Sequence, residues 1–289
     1  MVMERPDKRS AASPSAASGI KTILFQVHDD AKLEARLQFA LSVARTCDAH
    51  LHLMHITPLD AYTVVDAFGT FVSPAIIRTL EVDAAKLCAR LEALLSEEDV
   101  AWDYEEVGGS LMPHLPEGAA LADLLITGRE SKSPEFEGRA TTLLGQLLHQ
   151  VSGPILVPGD EVRDFDPSKP AIVAWNGTYE AANALRGSVP LLKLASEVIL
   201  LTVEEDKRVQ IPSERAGEYM SRHGIDTRFE SRPQMLDTIS DEILACAFAE
   251  GASYIVMGGY GHNRAGEFLF GGVTRSLLKA SPLPLLIAH

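Results

Sequence analysis

Cysteine is scarce in this chain of 289 residues: Cys47, Cys88 and Cys246 are the only three and no two have C-x-x-C spacing. That excludes a disulfide framework and a thiolate zinc site, and leaves three packed thiols in a reducing compartment. Long apolar runs are missing as well. No stretch of about 18 apolar residues is there to cross a bilayer, and the first residues lack the apolar core of a signal peptide, so a cytoplasmic protein without membrane contact is expected. Basic residues are outnumbered, with 26 Lys and Arg against 40 Asp and Glu and a net charge of −14. This argues against nucleic acid or an anionic lipid surface as a partner, although backbone dipoles can still hold a small anion. Catalytic signatures are absent too: no GxSxG, HExxH or Cys–His constellation supports nucleophilic or zinc chemistry, and no metal site is expected.

The sequence does contain a repeat. Lys21 to Ile56 and Lys169 to Val203 both read as apolar strand, polar turn, amphipathic helix and second strand. A shift of 147 lays Asp29 on Asn176, His50 on Glu197 and Ile56 on Val203. A shift of 130 lays Gly128 on Gly258, Leu147 and Leu148 on Leu277 and Leu278, and Pro154 on Pro284. The first copy is therefore longer by 17 residues in its middle, ahead of a helix carrying Leu80, Leu87, Leu91 and Leu94. The corresponding helix of the second copy is shorter, about Ser213 to His223, with Gly224 as its C-cap.

These boundaries predict a disordered tail at 1–19, rich in Ser, Ala and Pro, then unit 1 at 20–157, a proline-containing linker at 158–170, and unit 2 at 171–289. Strand segments such as AIVAW, VILLTV, YIVMG and LPLLIA are continuous apolar runs, as expected of parallel strands covered on both faces. The fold class is α/β: two tandem, doubly wound, five-stranded units of flavodoxin-like or Rossmann-like kind.

Glycine is concentrated near the end of the chain. After the strand closing at Met257 come Gly258, two residues, Gly261, nine residues, then Gly271 and Gly272, with a helix starting near Val273. Bare backbone between a strand end and a helix start suits a phosphate, because unpaired N–H groups and the positive end of the helix dipole converge there. It is not a P-loop, since no GK[ST] follows, nor is it G-x-G-x-x-G after a first strand.

The G-x2-G-x9-G spacing, in the last third of a unit of this length and order, resembles the ATP-binding signature of universal stress proteins, and the chain resembles a tandem member of that family from about Lys21 to His289. The resemblance implies an adenine nucleotide alpha hydrolase-like fold and ATP as ligand in unit 2, with Mg2+ allowed beside it. It carries adenine and ribose contacts onto Ala174, Asn176 and Val203, the start of the phosphate loop onto Met257, Gly258 and Gly261, and its end onto Gly271, Gly272 and Val273. Two positions depart from the pattern. Asn176 stands where the family has Asp, and Gly272 stands where it has Ser or Thr, with Thr274 two residues on as a stand-in hydroxyl. The resemblance also implies that the units pair through their last strands as a pseudo-dimer, and that whole chains can pair again.

Unit 1 is poorly equipped for the same ligand. At the matching positions it has Gly128, Ser131 and Thr141–Thr142, and its third helix contains Pro113 and Pro116. Other polar groups read as follows. Strand alternation separates His55 from His50 and His52, which splits a three-histidine metal site. His28, beside Asp29 and Asp30, is a pocket-lining candidate, and His262 and Arg264 are within the glycine segment and could reach phosphate. Glu204, Glu205 and Asp206 read as a solvated turn. The expected function is nucleotide-responsive binding of an unidentified protein partner in a stress response, without turnover. The alternatives are a scaffold with both sites lost, or a slow ATPase for which no base or arginine finger is evident.

Overall fold

The computed structural model describes residues 2–4, 19–66, 69–129, 140–159, 162–204, 209–259 and 272–289. In chain order the first half forms β1 (Val2–Glu4), β2 (Thr22–Val27), α1 (Leu33–Cys47), β3 (His50–Thr57), a 3-10 turn at Leu59–Tyr62, β4 (Thr63–Asp66), β5 (Gly69–Val72), α2 (Pro74–Leu95), β6 (Trp102–Gly108), α3 (Leu111–Ala119), β7 (Leu124–Ile126), α4 (Ala140–Gln150) and β8 (Ile155–Val157). The second half forms β9 (Ala171–Ala174), α5 (Tyr179–Leu192), β10 (Val198–Glu204), α6 (Ser213–Arg222), β11 (Thr227–Pro233), α7 (Ile239–Ala249), β12 (Tyr254–Gly258), α8 (Gly272–Ala280) and β13 (Leu285–Ala288).

Apart from the small β4–β5 hairpin, the described strands form one sheet in the order β1-β6-β3-β2-β7-β8-β13-β12-β9-β10-β11. Counting strands within each unit, both halves have the order 3-2-1-4-5, which is the Rossmann-like of the two doubly wound arrangements. Within the large sheet, pairing is parallel inside each unit. The two units meet where their last strands run antiparallel, with Ile155 opposite Ile287 and Leu156 opposite Leu286. A pseudo-twofold relation results, as the family resemblance implied.

One apolar layer joins residues of α1, α2, α5 and α6 to the sheet, and a second joins residues of α3, α4, α7 and α8, so helices cover both faces. The seam is part of this core. Ile155, Leu156, Val157, Leu285, Leu286 and Ile287 are all buried, and full burial of each such side chain stabilises by about 1.5–3 kcal/mol. Phe165, between the units in sequence, puts its ring 5.5 Å from Phe39 of unit 1 and 5.4 Å from Tyr254 of unit 2. All three cysteines are buried, and none is in a disulfide.

Three local features differ from the sequence reading. Val2–Glu4, placed in a disordered tail, form a strand antiparallel to β6, because that outer strand offers an open row of backbone donors and acceptors. Residues 5–18 lie outside the described residues. The extra length of unit 1 contains the β4–β5 hairpin, whose registered ends are Thr63 opposite Val72 and Asp66 opposite Gly69. The proline-damaged segment still forms α3, although Met112 leaves helical geometry and Pro116 sits inside it. By contrast, Gly224 takes φ +74 just after α6, as its reading as a helix terminator requires.

Candidate functional site

In unit 2 the strand order reverses between β9 and β12, where helices leave toward opposite faces, the place at which open sheets of this kind form a crevice at the carboxyl ends of the strands. Ala174 sits at that point, registered between Leu201 of β10 and Met257 of β12. Asn176 follows, exposed at the crevice. Its Oδ1 accepts from the Thr178 hydroxyl at 3.0 Å and from the Thr178 amide at 3.3 Å, and Thr178 in turn caps α5 by accepting from the Ala181 amide at 3.3 Å. The side-chain carbonyl of Asn176 is thus committed to the turn, and its amide group supplies donors where the family has a carboxylate. Gly177 has φ +72, and a Cβ there would collide with Val209 and come within 2.8 Å of the Ile211 carbonyl. The return segment after β10 is pinned over this turn, with the Ile211 amide donating to the Gly177 carbonyl at 2.9 Å and the Trp175 indole donating to the Ile211 carbonyl at 3.2 Å.

The glycines differ in what they make room for. A Cβ on Gly258 would lie 2.6 Å from the Ala181 nitrogen and 2.7 Å from the Glu180 carbonyl carbon, so this glycine lets the first turn of α5 rest on the end of β12. Gly259 is closed in by Leu148 of unit 1 and by Ile287, its amide donates to the Ala288 carbonyl at 2.9 Å, and its carbonyl lies 3.1 Å from His289 Nδ1. Its N–H is therefore paired within the protein. Gly272, at the exposed start of α8, has no atom within 4 Å of an added Cβ. Val273 packs against the second apolar layer, and Thr274 is buried in the first turn of α8. Val203 is half-buried near the end of β10. Gly261 and Gly271, together with His262 and Arg264, lie outside the described residues, as do Glu205 and Asp206.

Sequence reasoning missed Glu180. It is 4 % exposed in the first turn of α5 and lies against Gly258. The available signal was an acidic residue two positions after a Thr N-cap, where the positive end of the helix favours it.

The equivalent place in unit 1 is filled by a cation of its own. Arg36 of α1 lies over Gly128, whose added Cβ would be 3.2 Å from the Arg36 Cδ. Its guanidinium pairs with Asp30 at 3.0 Å and donates to the His28 carbonyl at 2.9 Å, with both side chains of the pair 7 % exposed. Asp29, the counterpart of Asn176, pairs with Arg90 of α2 at 3.3 Å. Gln26 and Thr127 are buried and hydrogen-bonded to each other at the neighbouring strand ends. His28 thus belongs to a closed polar cluster. Ser131 lies outside the described residues; Thr141 and Thr142 fall in the first turn of α4.

The histidines of β3 divide between faces as alternation requires. His55 faces Tyr104, its Nδ1 3.2 Å from the phenol oxygen, and burial pushes its pKa down. His50 and His52 meet Asp103 instead. Among the described residues no group of three or more His, Cys, Asp or Glu side chains converges as a metal cage, and no helix is long and apolar enough to cross a membrane. A cavity of about 350 Å3 lies at the other end of the sheet, lined in part by Phe165, Asp166, Phe248, Ser253 and Pro284. Its walls precede β12 and β13, far from the strand ends that gather the residues above.

Comparison with known proteins places the second half of the chain. No curated protein matches the chain. Among solved structures, a universal stress protein from Archaeoglobus fulgidus DSM 4304 aligns over 92% of this chain and 95% of its own, at 15% identity and a TM-score of 0.68. A functionally unknown protein from Pseudomonas aeruginosa PAO1 aligns over 95% and 94%, at 15% identity and a TM-score of 0.57. At such identities these alignments establish a shared fold. The model of the universal stress protein family matches residues 168–289, a span that takes in every position assigned above to the unit 2 crevice. Residues 168–289, unit 2 with the end of the linker, thus match the universal stress protein family, and the fold of the whole chain is shared with universal stress proteins.

Proposed function

We propose that unit 2 binds an adenine nucleotide, ATP foremost, and that the protein acts as a nucleotide-responsive binding module in a stress response. The match of residues 168–289 to the universal stress protein family supports the stress-response role. The observation that carries the nucleotide reading is the placement of the glycine segment: it starts at the end of β12, beside Ala174 at the reversal of strand order, and ends where α8 begins. A phosphate chain at that place meets a helix N-terminus, while an adenosine lies along the ends of β9 and β10. Asn176 in place of a carboxylate and Gly272 in place of a hydroxyl make the site weaker, and less dependent on a divalent cation, than the family pattern. Unit 1, with Arg36 and Asp30 in the matching position, serves as its structural partner. The role is binding and not turnover, and the bound nucleotide changes a surface that another protein reads.

Acid extraction of the purified protein, followed by chromatography, tests this directly. ATP in about equimolar amount is the expected result. ADP alone after incubation with ATP favours slow hydrolysis. Nucleotide-free protein that stays so after incubation favours a scaffold, a reading to which Gly258 and Gly259 lend weight because both are already explained by packing.

A further inference from the structure

Near the outer edge of unit 1, β3 and β6 place four titratable side chains on one face of the sheet. Asp103 sits between two imidazoles, one oxygen 2.5 Å from His50 Nε2 and the other 2.7 Å from His52 Nδ1. The second ring nitrogen of His52 lies 3.3 Å from Glu105. A neutral imidazole has one N–H, so it can donate to only one of these carboxylates and turns a lone pair on the other; the imidazolium donates to both. The two oxygens of Asp103 address different rings and the two nitrogens of His52 address different acids, so the cluster is arranged around protons and offers no shared point for a metal.

The pseudo-symmetric place in unit 2 holds the same device with its charges exchanged. Equivalent registers, Leu51 opposite Trp102 and Val198 opposite Thr227, put Arg228 where unit 1 has Asp103 and Glu230 where it has Glu105, while Glu197 matches His50. Arg228 contacts Glu197 at 2.8 Å, Glu230 at 3.0 Å and Glu250 at 2.5 Å, and Arg232 contacts Glu230 at 2.9 Å. Arginine keeps its charge at every physiological pH. One edge of the sheet is therefore tied by permanent charges and the other by a group that titrates.

We propose that His52, with Asp103 and Glu105, is a proton-operated clasp on the unit 1 edge, closed while the imidazole is charged and opened when it loses its proton. The opened edge is the one that carries β1, since Glu4 is registered opposite Asp103 and Val2 opposite Glu105. Among the described residues the surroundings supply no replacement cation. On β2, His52 is registered opposite Leu24 and His50 opposite Thr22; Lys21 pairs with Asp48; Asp123 accepts from the Lys21 and Thr22 amides; and on α3 His114 lies 3.8 Å from Glu117.

The direction of the titration agrees. The hydrogen bond to Asp103 outweighs burial and raises the His52 pKa above 6.5, while burial of Asp103 is outweighed by its two imidazole partners, which hold it far below 3.8. The His52 contribution is thus complete below 6.5 and is lost as pH rises through the higher folded value; the Asp103 contribution is present above 3.8 and is lost only in strong acid. The clasp holds in mild acid and slackens in mild alkali. This inference does not depend on the nucleotide site.

Hydrogen exchange on the full chain, in buffer containing EDTA and corrected for intrinsic rates, reads it out. Between about pH 6 and about pH 8.5 the amides of Trp102–Gly108 should lose protection severalfold relative to those of Thr227–Pro233, in the direction set by the raised proton affinity of His52. His52→Gln should leave that ratio low and flat across the range. Asp103→Asn, close in shape to the native residue, should flatten it as well and serves if His52→Gln does not fold. A wild-type ratio that does not change with pH, or a variant that keeps the wild-type pH dependence, overturns the clasp.

Discussion

Gly258 and Ala181 are packed so closely that a Cβ on the glycine would stand 2.6 Å from the alanine backbone nitrogen. The partner is backbone held in a capped helix and cannot yield as a side-chain tip could. Gly258→Ala should therefore destabilise the protein by about 1–3 kcal/mol, the usual cost of overpacking, in urea denaturation. Gly272→Ala, with no atom within 4 Å of the added methyl, should leave the urea midpoint unchanged or slightly raised.

The same open space permits a gain of function at Gly272. Gly272→Ser supplies the hydroxyl that the family pattern has at the start of this helix, with no steric obstacle. A hydrogen bond to a charged group contributes about 1.5–3 kcal/mol, so ATP affinity should rise by roughly tenfold or more in calorimetry. Equal affinities would mean that no phosphate oxygen lies at the start of α8.

Asn176→Asp should preserve the local turn, because a carboxylate oxygen can accept from Thr178 as the amide oxygen does. It also adds a negative charge beside the crevice. ATP binding by this variant should become dependent on Mg2+, weaker than wild type with EDTA and recovered when Mg2+ is added.

In unit 1 the Arg36–Asp30 pair is buried on both sides. Removing one partner leaves a charge in a poorly solvated place, so Arg36→Met should cost about 3–5 kcal/mol, whereas Arg36→Met with Asp30→Leu should recover most of that loss. Neither change should create a second nucleotide site. Urea denaturation and binding stoichiometry check both statements.

The architecture was readable because its signals are local or repeated. Continuous apolar segments such as VILLTV and YIVMG report burial on both faces wherever they occur, and the repeat transfers the order of one half to the other. The pairing of Ile155 with Ile287 then follows from two equivalent final strands seeking partners. What could not be read depends on register between distant segments. Asp103 reaches His50 and His52 across about fifty residues, and only the alignment of β3 on β6 shows that the three share a face. The role of Arg36 is hidden for the same reason, since a basic residue on an amphipathic helix ordinarily faces water. Glycine spacing located the crevice, but it could not say which glycines serve packing: Gly258 and Gly259 do, and Gly272 does not. Val2–Glu4 form a strand despite a tail-like composition around them, because a waiting sheet edge outweighs three residues of weak propensity.

Calorimetric titration of ATP into the full chain, beside Gly261→Val, is the most direct test of nucleotide recognition by unit 2. Saturable heat at one ATP per chain, abolished in the variant, is the expected result. No heat from the wild type, two equivalents per chain, or unchanged affinity in Gly261→Val would contradict it.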